Sequence, residues 1–195
     1  MTVELSPFSL DRMVRAVEKV RDRLLRAASI LHQAGIPYAV AGGNAVSVWV
    51  SRIDEAATRT TPDVDIFIRR EDFESAKLAF AAAGFVYRNV GGREMLLDGP
   101  DANARDSVHL LFANEMVRPH ELHPNPDTSE SEDAGTFQVL SLPALVMTEL
   151  NAFRIKHRVH LRDMIDVGLI DESWYDRLPQ ELAARLKTLI EDPEG

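Results

Sequence analysis

Asp63 and Asp65 stand two residues apart in the apolar run Asp63-Val64-Asp65-Ile66-Phe67-Ile68. On a β-strand, side chains two apart leave the same face, so both carboxylates are aimed at one space. Paired carboxylates suit Mg²⁺, a hard cation usually shared with phosphate oxygens. One loop earlier, Tyr38-Ala39-Val40-Ala41-Gly42-Gly43-Asn44 reads as a short buried strand that breaks at two glycines. The chain then reopens as an apolar helix from Ala45 to about Val50. A glycine turn at a helix N-terminus offers backbone N–H groups and the positive end of the helix dipole to a phosphate. Together the two stretches describe a site for a nucleoside triphosphate and its metal.

Alone, each half has an ordinary reading. Gly-Gly between strand and helix serves any tight turn that needs positive φ, and Asp-x-Asp on a strand is often a solvated face. Order and flanking chemistry lift the pair: strand, Gly-Gly, helix, a loop ending Arg59-Thr60-Thr61-Pro62, then Asp-x-Asp on an apolar strand. That order resembles the nucleotidyltransferase superfamily with the polymerase-beta-like fold, and most of all its small bacterial members, including those of toxin–antitoxin pairs. The resemblance covers residues 36 to 112 and rests on Gly42, Gly43, Thr61, Asp63 and Asp65. It implies Mg²⁺ or Mn²⁺ held by Asp63 and Asp65, and a nucleoside triphosphate contacted by Gly42, Gly43, Asn44, Thr61, Arg59 and Arg154. The activity it implies is transfer of a nucleoside monophosphate to a hydroxyl on a protein, an RNA or a small molecule.

One later strand departs from the pattern. The superfamily carries a third carboxylate between hydrophobic residues, where Ser107-Val108-His109-Leu110-Leu111-Phe112 has His109. Imidazole suits Zn or Mn better than Mg²⁺, and it can act as a general base near neutral pH without touching metal. Asp106 across a bulge, or Glu94 on a neighbouring strand, are substitutes for the missing acid. The substitution supports an alternative function, a catalytically decayed binding or antitoxin module.

The rest of the composition sets limits. A chain of 195 residues can bury a real core as one domain with an appendage; the boundaries expected are 1–140 for the α/β core with its N-terminal helix and 141–195 for a C-terminal helical subdomain. The absence of cysteine excludes disulfides and thiolate zinc sites and suits a cytoplasmic protein. No apolar run is long enough to span a bilayer. The net charge of −9 argues against wrapping duplex nucleic acid. It is uneven: residues 1–70 hold 10 Lys/Arg against 8 Asp/Glu, and residues 71–195 hold 12 against 23. The half with the proposed site is the half a polyanion prefers.

The elements that must position the site follow from periodicity and punctuation. The expected fold is α+β, a small mixed sheet backed by helices. Ser9 caps a helix to about Ala34 whose apolar stripe runs from Leu10 to Leu31, opposite an arginine-rich face. A helix Glu71 to Ala83 and strands at Phe85–Tyr87, Glu94–Leu97, Ser107–Phe112 and Thr136–Leu140 complete the core. Residues 114–135 read as an exposed Pro- and acid-rich excursion; His120, Glu121 and His123 within it lack a helix to fix them as metal ligands. Ser141 caps a helix to about Lys156, with Pro143 in its first turn. Further helices follow at Val159–Val167 and Gln180–Glu191. Trp49 reads as core, and His157 with His160 lacks the intervening acid of a metalloprotease motif. Pro193, Glu194 and Gly195 read as a fraying end.

Overall fold

The computed structural model describes residues 9–102, 107–118 and 121–192. Seven strands form one mixed sheet in the order β3-β4-β5-β2-β1-β7-β6. They are β1 (Tyr38–Ala41), β2 (Val64–Ile68), β3 (Val86–Val90), β4 (Arg93–Leu97), β5 (Ser107–Phe112), β6 (Ser131–Asp133) and β7 (Gln138–Leu140). The helices are α1 (Leu10–Gln33), α2 (Gly42–Ser51), α3 (Phe73–Ala82), α4 (Leu142–Ala152), α5 (Ile155–Asp166) and α6 (Gln180–Glu191). The α+β expectation therefore holds, and the β5 boundaries agree with the sequence reading at both ends.

The central strands β1 and β2 are buried at every position because both sheet faces are covered. Alternation sorts their side chains. Tyr38, Val40, Val64, Ile66 and Ile68 join Val108, Leu110 and Leu96 under α1 and α3. On the opposite face, Ala39, Ala41 and Phe67 pack with Ala45 and Val46 of α2, Leu145 and Leu150 of α4, Leu161 of α5 and Leu186 of α6. The C-terminal helices thus share an apolar cluster with the strands.

Four local expectations need correction. The Ser9 and Ser141 side chains make no capping hydrogen bond. Only the second half of the α1 stripe is covered: Leu24, Ala27, Ala28 and Leu31 are buried, whereas Leu10, Met13, Val14 and Val17 are exposed. Periodicity reports which face is apolar, not how far a helix runs past the sheet that covers it. The helix expected to continue to Lys156 stops at Ala152, because Phe153 turns left-handed at φ 44°, and α5 starts at Ile155.

The excursion at 114–135 is not simply exposed. Glu121, Asn125 and Thr128 are buried, and Ser131–Asp133 joins the sheet as β6. Asn151 on α4 straps it down: its Oδ1 accepts from the Leu122 and His123 backbone N–H groups at 2.8 and 3.1 Å, and its Nδ2 donates to the His123 carbonyl at 2.6 Å. Asp106, His120 and residues 193–195 lie outside the described residues. Among the described residues, no helix is long and apolar enough to cross a membrane.

Candidate nucleotide and metal site

Strand pairing brings the site together. β2 runs antiparallel to β1 with Ala41 opposite Asp65, and parallel to β5 with Asp65 opposite His109. Asp65 therefore sits between the glycine turn on one side and His109 on the other. A cavity of about 270 Å³ opens over it, lined by Gly42, Asp63, Asp65, His109, Arg154 and Lys156 among others.

Gly42 and Asp65 are fitted to one another. Gly42 adopts φ +59°, and a Cβ there would collide with Asp65 Oδ2. Both the left-handed backbone and the missing side chain are required. A Cβ on Gly43 would lie 2.8 Å from Thr61 Cγ2, so the second glycine lets the Thr61 loop close over the start of α2. The Asn44 side chain has a structural task of its own. Its side-chain amide donates to the Asp63 carbonyl at 2.6 Å, which fixes the entry to β2 rather than reaching outward.

Asp65 is buried, with 12% of its side chain exposed. Its Oδ1 accepts from His109 Nδ1 at 3.0 Å, and Lys156 Nζ lies 4.0 Å from Oδ2. Burial alone would raise its pKa; the His109 hydrogen bond and the Lys156 charge outweigh burial and hold it below the usual carboxylate value. The carboxylate is thus kept ionised in a place that would otherwise neutralise it.

The α4–α5 corner supplies the opposing wall. Arg154 and Lys156 emerge beside the break at Phe153, and His157 Nδ1 accepts from the Arg154 backbone N–H at 3.3 Å. Burial, together with the Arg154 and Lys156 charges, pushes His157 down to about 3. Beneath them Glu149, 1% exposed, accepts from His160 Nδ1 at 2.9 Å. Burial raises the Glu149 pKa, and the Glu149 partner raises that of His160 against burial. A second cavity, about 280 Å³, lies on the far side of Lys156 and is lined by Gly43, Ser47, Arg59, Thr61, Lys156 and His160 among others. Lys156 borders both cavities.

Of the remaining expected residues, Arg59 is turned to α5, where its Nε donates to Asp163 at 2.8 Å. Glu94 does not replace the missing acid. It lies opposite Leu110, on the other register face from His109, and its carboxylate accepts from Tyr87 and Asn89. Trp49 donates to the Leu140 carbonyl and carries Arg52 over its ring. Glu121 braces a loop by accepting from the Val117 and Arg118 N–H groups. On α1, Arg26 pairs with Asp98 at 2.6 Å, and Arg12, Arg15, Lys19 and Arg23 border a separate groove.

The donor set fits a divalent cation of one kind. Among the described residues, no three His, Asp or Glu side chains are grouped to enclose a metal. Asp63 and Asp65 on one cavity wall match the open arrangement of Mg²⁺, in which one or two carboxylates are completed by water and substrate phosphate.

Compared with solved structures, the chain superposes on ANT(2″)-Ia in complex with adenylyl-2″-tobramycin with a TM-score of 0.53, at 14% identity over 90% of this chain and 98% of that one. The fold is the nucleotidyltransferase fold. The solution structure of ANT(2″)-Ia, an antibiotic-resistance factor, gives a TM-score of 0.51 at 12% identity, covering 94% of each chain. A candidate nucleotidyltransferase from Helicobacter pylori gives 0.51 at 14% identity, over 96% of this chain and 80% of that one. No protein-family profile and no curated protein sequence matches the chain. On this nucleotidyltransferase fold, the sequence pointed to Lys156 only as a companion of Arg154 in a basic cluster, and it gave no sign that Glu149 is buried. Lys156 carries no motif, and it follows the break at Phe153 that sets it 4.0 Å from Asp65.

Proposed function

We propose that the protein transfers a nucleoside monophosphate from a nucleoside triphosphate to a hydroxyl acceptor. The observation that carries this reading is the fit of Gly42 against Asp65, which holds an ionised carboxylate and a helix N-terminus at one cavity. Asp63 and Asp65 would hold Mg²⁺ or Mn²⁺, whose charge offsets that of the triphosphate. The N–H groups at the start of α2 face the phosphate tail, and Lys156, between the two cavities, neutralises it. The acceptor oxygen forms its bond to the α-phosphorus as the bond to the α,β-bridging oxygen breaks, and pyrophosphate leaves with the electron pair. His109 donates through Nδ1 to Asp65, which leaves Nε2 as the acceptor for the hydroxyl proton. Because such chemistry is mostly positioning and charge neutralisation, either aspartate is indispensable. The hydroxyl belongs to a small molecule, a protein or an RNA; ANT(2″)-Ia, with its adenylyl-2″-tobramycin, is the small-molecule case.

Calorimetry tests this. Wild type binds nucleoside triphosphate only with Mg²⁺ or Mn²⁺, and Asp63→Ala abolishes that binding; unchanged binding in the variant ends the metal-site reading. One observation favours a second reading, a nucleotide-binding module without turnover: both Asp65 oxygens already have a cationic or donor partner, His109 and Lys156. Labelled triphosphate incubated with cell lysate separates the two. Label transferred to an acceptor supports the enzyme, and binding without transfer even in Mn²⁺ supports the module.

A further inference from the structure

The cavity over Asp65 does not end at the carboxylates. It runs along the sheet past Phe67 and Leu111 to a mouth where three arginines from distant segments meet: Arg93 at the start of β4, Arg118 in the loop after β5, and Arg154 before α5. Among the described residues, none of the three has a carboxylate within ion-pair distance. The acids that share the wall at this end are committed elsewhere. Glu115 takes both donors of Arg70, at 2.8 and 2.5 Å; Glu121 accepts from backbone N–H groups; Glu94 holds Tyr87 and Asn89. Desolvation lowers the Arg154 pKa, and the Arg118 and Arg93 charges lower it further, with Glu121 and Asp65 opposing part of that change. Like charges gathered on a concave wall with no ion pair of their own favour an entering anion, and a guanidinium fork matches phosphate oxygens.

Sheet order tells which substrate that anion belongs to. The glycine turn lies at the β1 side of Asp65, and β5 and β4, with His109 and Arg93, lie at the other. On the nucleotidyl-transfer reading above, the triphosphate tail occupies the Gly42–Gly43 side and the acceptor approaches from the His109 side. Exposed Met116 and Val117 at the same mouth add an apolar surface beside the arginines.

We propose that Arg93, Arg118 and Arg154 form an acceptor subsite for a phosphate group, so that the hydroxyl acceptor of this protein is a phosphorylated molecule. The phosphate comes from a phosphorylated sugar or from the backbone of a nucleic-acid strand; the chemistry of recognition is the same.

The test is equilibrium binding to the full chain in Mg²⁺, with a saturating triphosphate analogue blocked at the α,β bridge. The probes are ribose 5-phosphate against ribose, and a labelled five-nucleotide RNA against an uncharged backbone analogue of the same bases. The phosphorylated member of at least one pair should bind at least tenfold tighter than its neutral counterpart, and the pair that responds identifies the source. The double variant R93E/R118E should remove that preference at least tenfold, while triphosphate-analogue affinity stays within twofold of wild type. Its melting temperature is read alongside; R93Q/R118Q, which introduces no negative charge, replaces it if the melting temperature falls. Equal binding of charged and neutral probes in both pairs overturns the proposal, as does a double variant that loses triphosphate affinity instead. Failure of wild type to bind the triphosphate analogue sinks the transferase reading separately, since the phosphate preference is still read in its absence.

Discussion

His109 Nδ1 and Asp65 Oδ1 lie 3.0 Å apart on adjacent parallel strands, in direct register. The sequence resemblance leads one to expect an acid, not an imidazole, beside Asp65. The imidazole pulls the Asp65 pKa down, whereas a second carboxylate at that distance would push one of the two up. His109→Asp should therefore behave oppositely in the two metal states. Without divalent ion, it loses about 1–3 kcal/mol of stability at neutral pH through like-charge contact and the lost hydrogen bond. With Mg²⁺ it regains that loss and binds triphosphate more tightly than wild type. Urea denaturation with and without Mg²⁺, followed by calorimetry, checks both halves; a variant indifferent to Mg²⁺ refutes the arrangement.

Gly42→Ala meets two penalties at once, the left-handed φ and the collision with Asp65 Oδ2. The expected loss is about 1–3 kcal/mol of stability, with triphosphate binding lost because Asp65 must move. Gly84→Ala is the control: it shares a positive φ but has open space around its Cβ position. It should cost stability and leave binding intact. Comparable binding loss in both variants would contradict the contact.

Lys156 is half-exposed, and among the described residues it pairs with Asp65 alone, at 4.0 Å. Removing its charge should leave folding nearly untouched, since exposed pairs are worth at most about 1 kcal/mol. Lys156→Met should weaken triphosphate binding roughly tenfold, about 1.4 kcal/mol, and flatten its dependence on salt. A full-affinity variant would remove Lys156 from the site.

His157 supplies a pH signature. Its folded pKa of about 3 lies below the ordinary histidine value of 6.5, so between those limits the unfolded chain binds the extra proton. Stability from this group is complete above the unfolded pKa and falls as the pH drops toward the folded one. The change amounts to about 1 kcal/mol between pH 6.5 and 5.5. His157→Gln should flatten this part of the profile, measured by urea denaturation at each pH. His160 acts in the reverse sense: its raised pKa contributes stability at low pH that is lost as pH rises through the folded value. A wild-type curve that rises on acidification would show the Glu149–His160 pair, rather than His157, in control.

What could be read in advance depended on whether a signal was local. The Gly-Gly turn, the two aspartates and the β5 boundaries were legible because strand alternation and glycine punctuation act within a few residues. His109 was legible as the odd residue in an apolar strand. The break at Phe153 was not, because a left-handed helix end usually carries glycine and here carries phenylalanine. Arg154 could be named through the resemblance alone, whereas the approach of Lys156 to Asp65 depends on that break. Arg93 and Arg118 had no motif at all; each is one arginine in a turn-rich segment, and only the folded chain brings them to one opening. The exposed first turns of α1 show the same limit, since a periodic stripe does not reveal where its cover ends.

The tight seat of Gly42 against Asp65 has an evolutionary corollary. While an aspartate stands at 65 with its present rotamer, hydrogen is the one substituent that position 42 accommodates, so position 42 cannot change before position 65. A lineage that abandons the carboxylate removes the collision and leaves only the left-handed φ to favour glycine, so a side chain found at 42 in a descendant would place the loss of the acid before it.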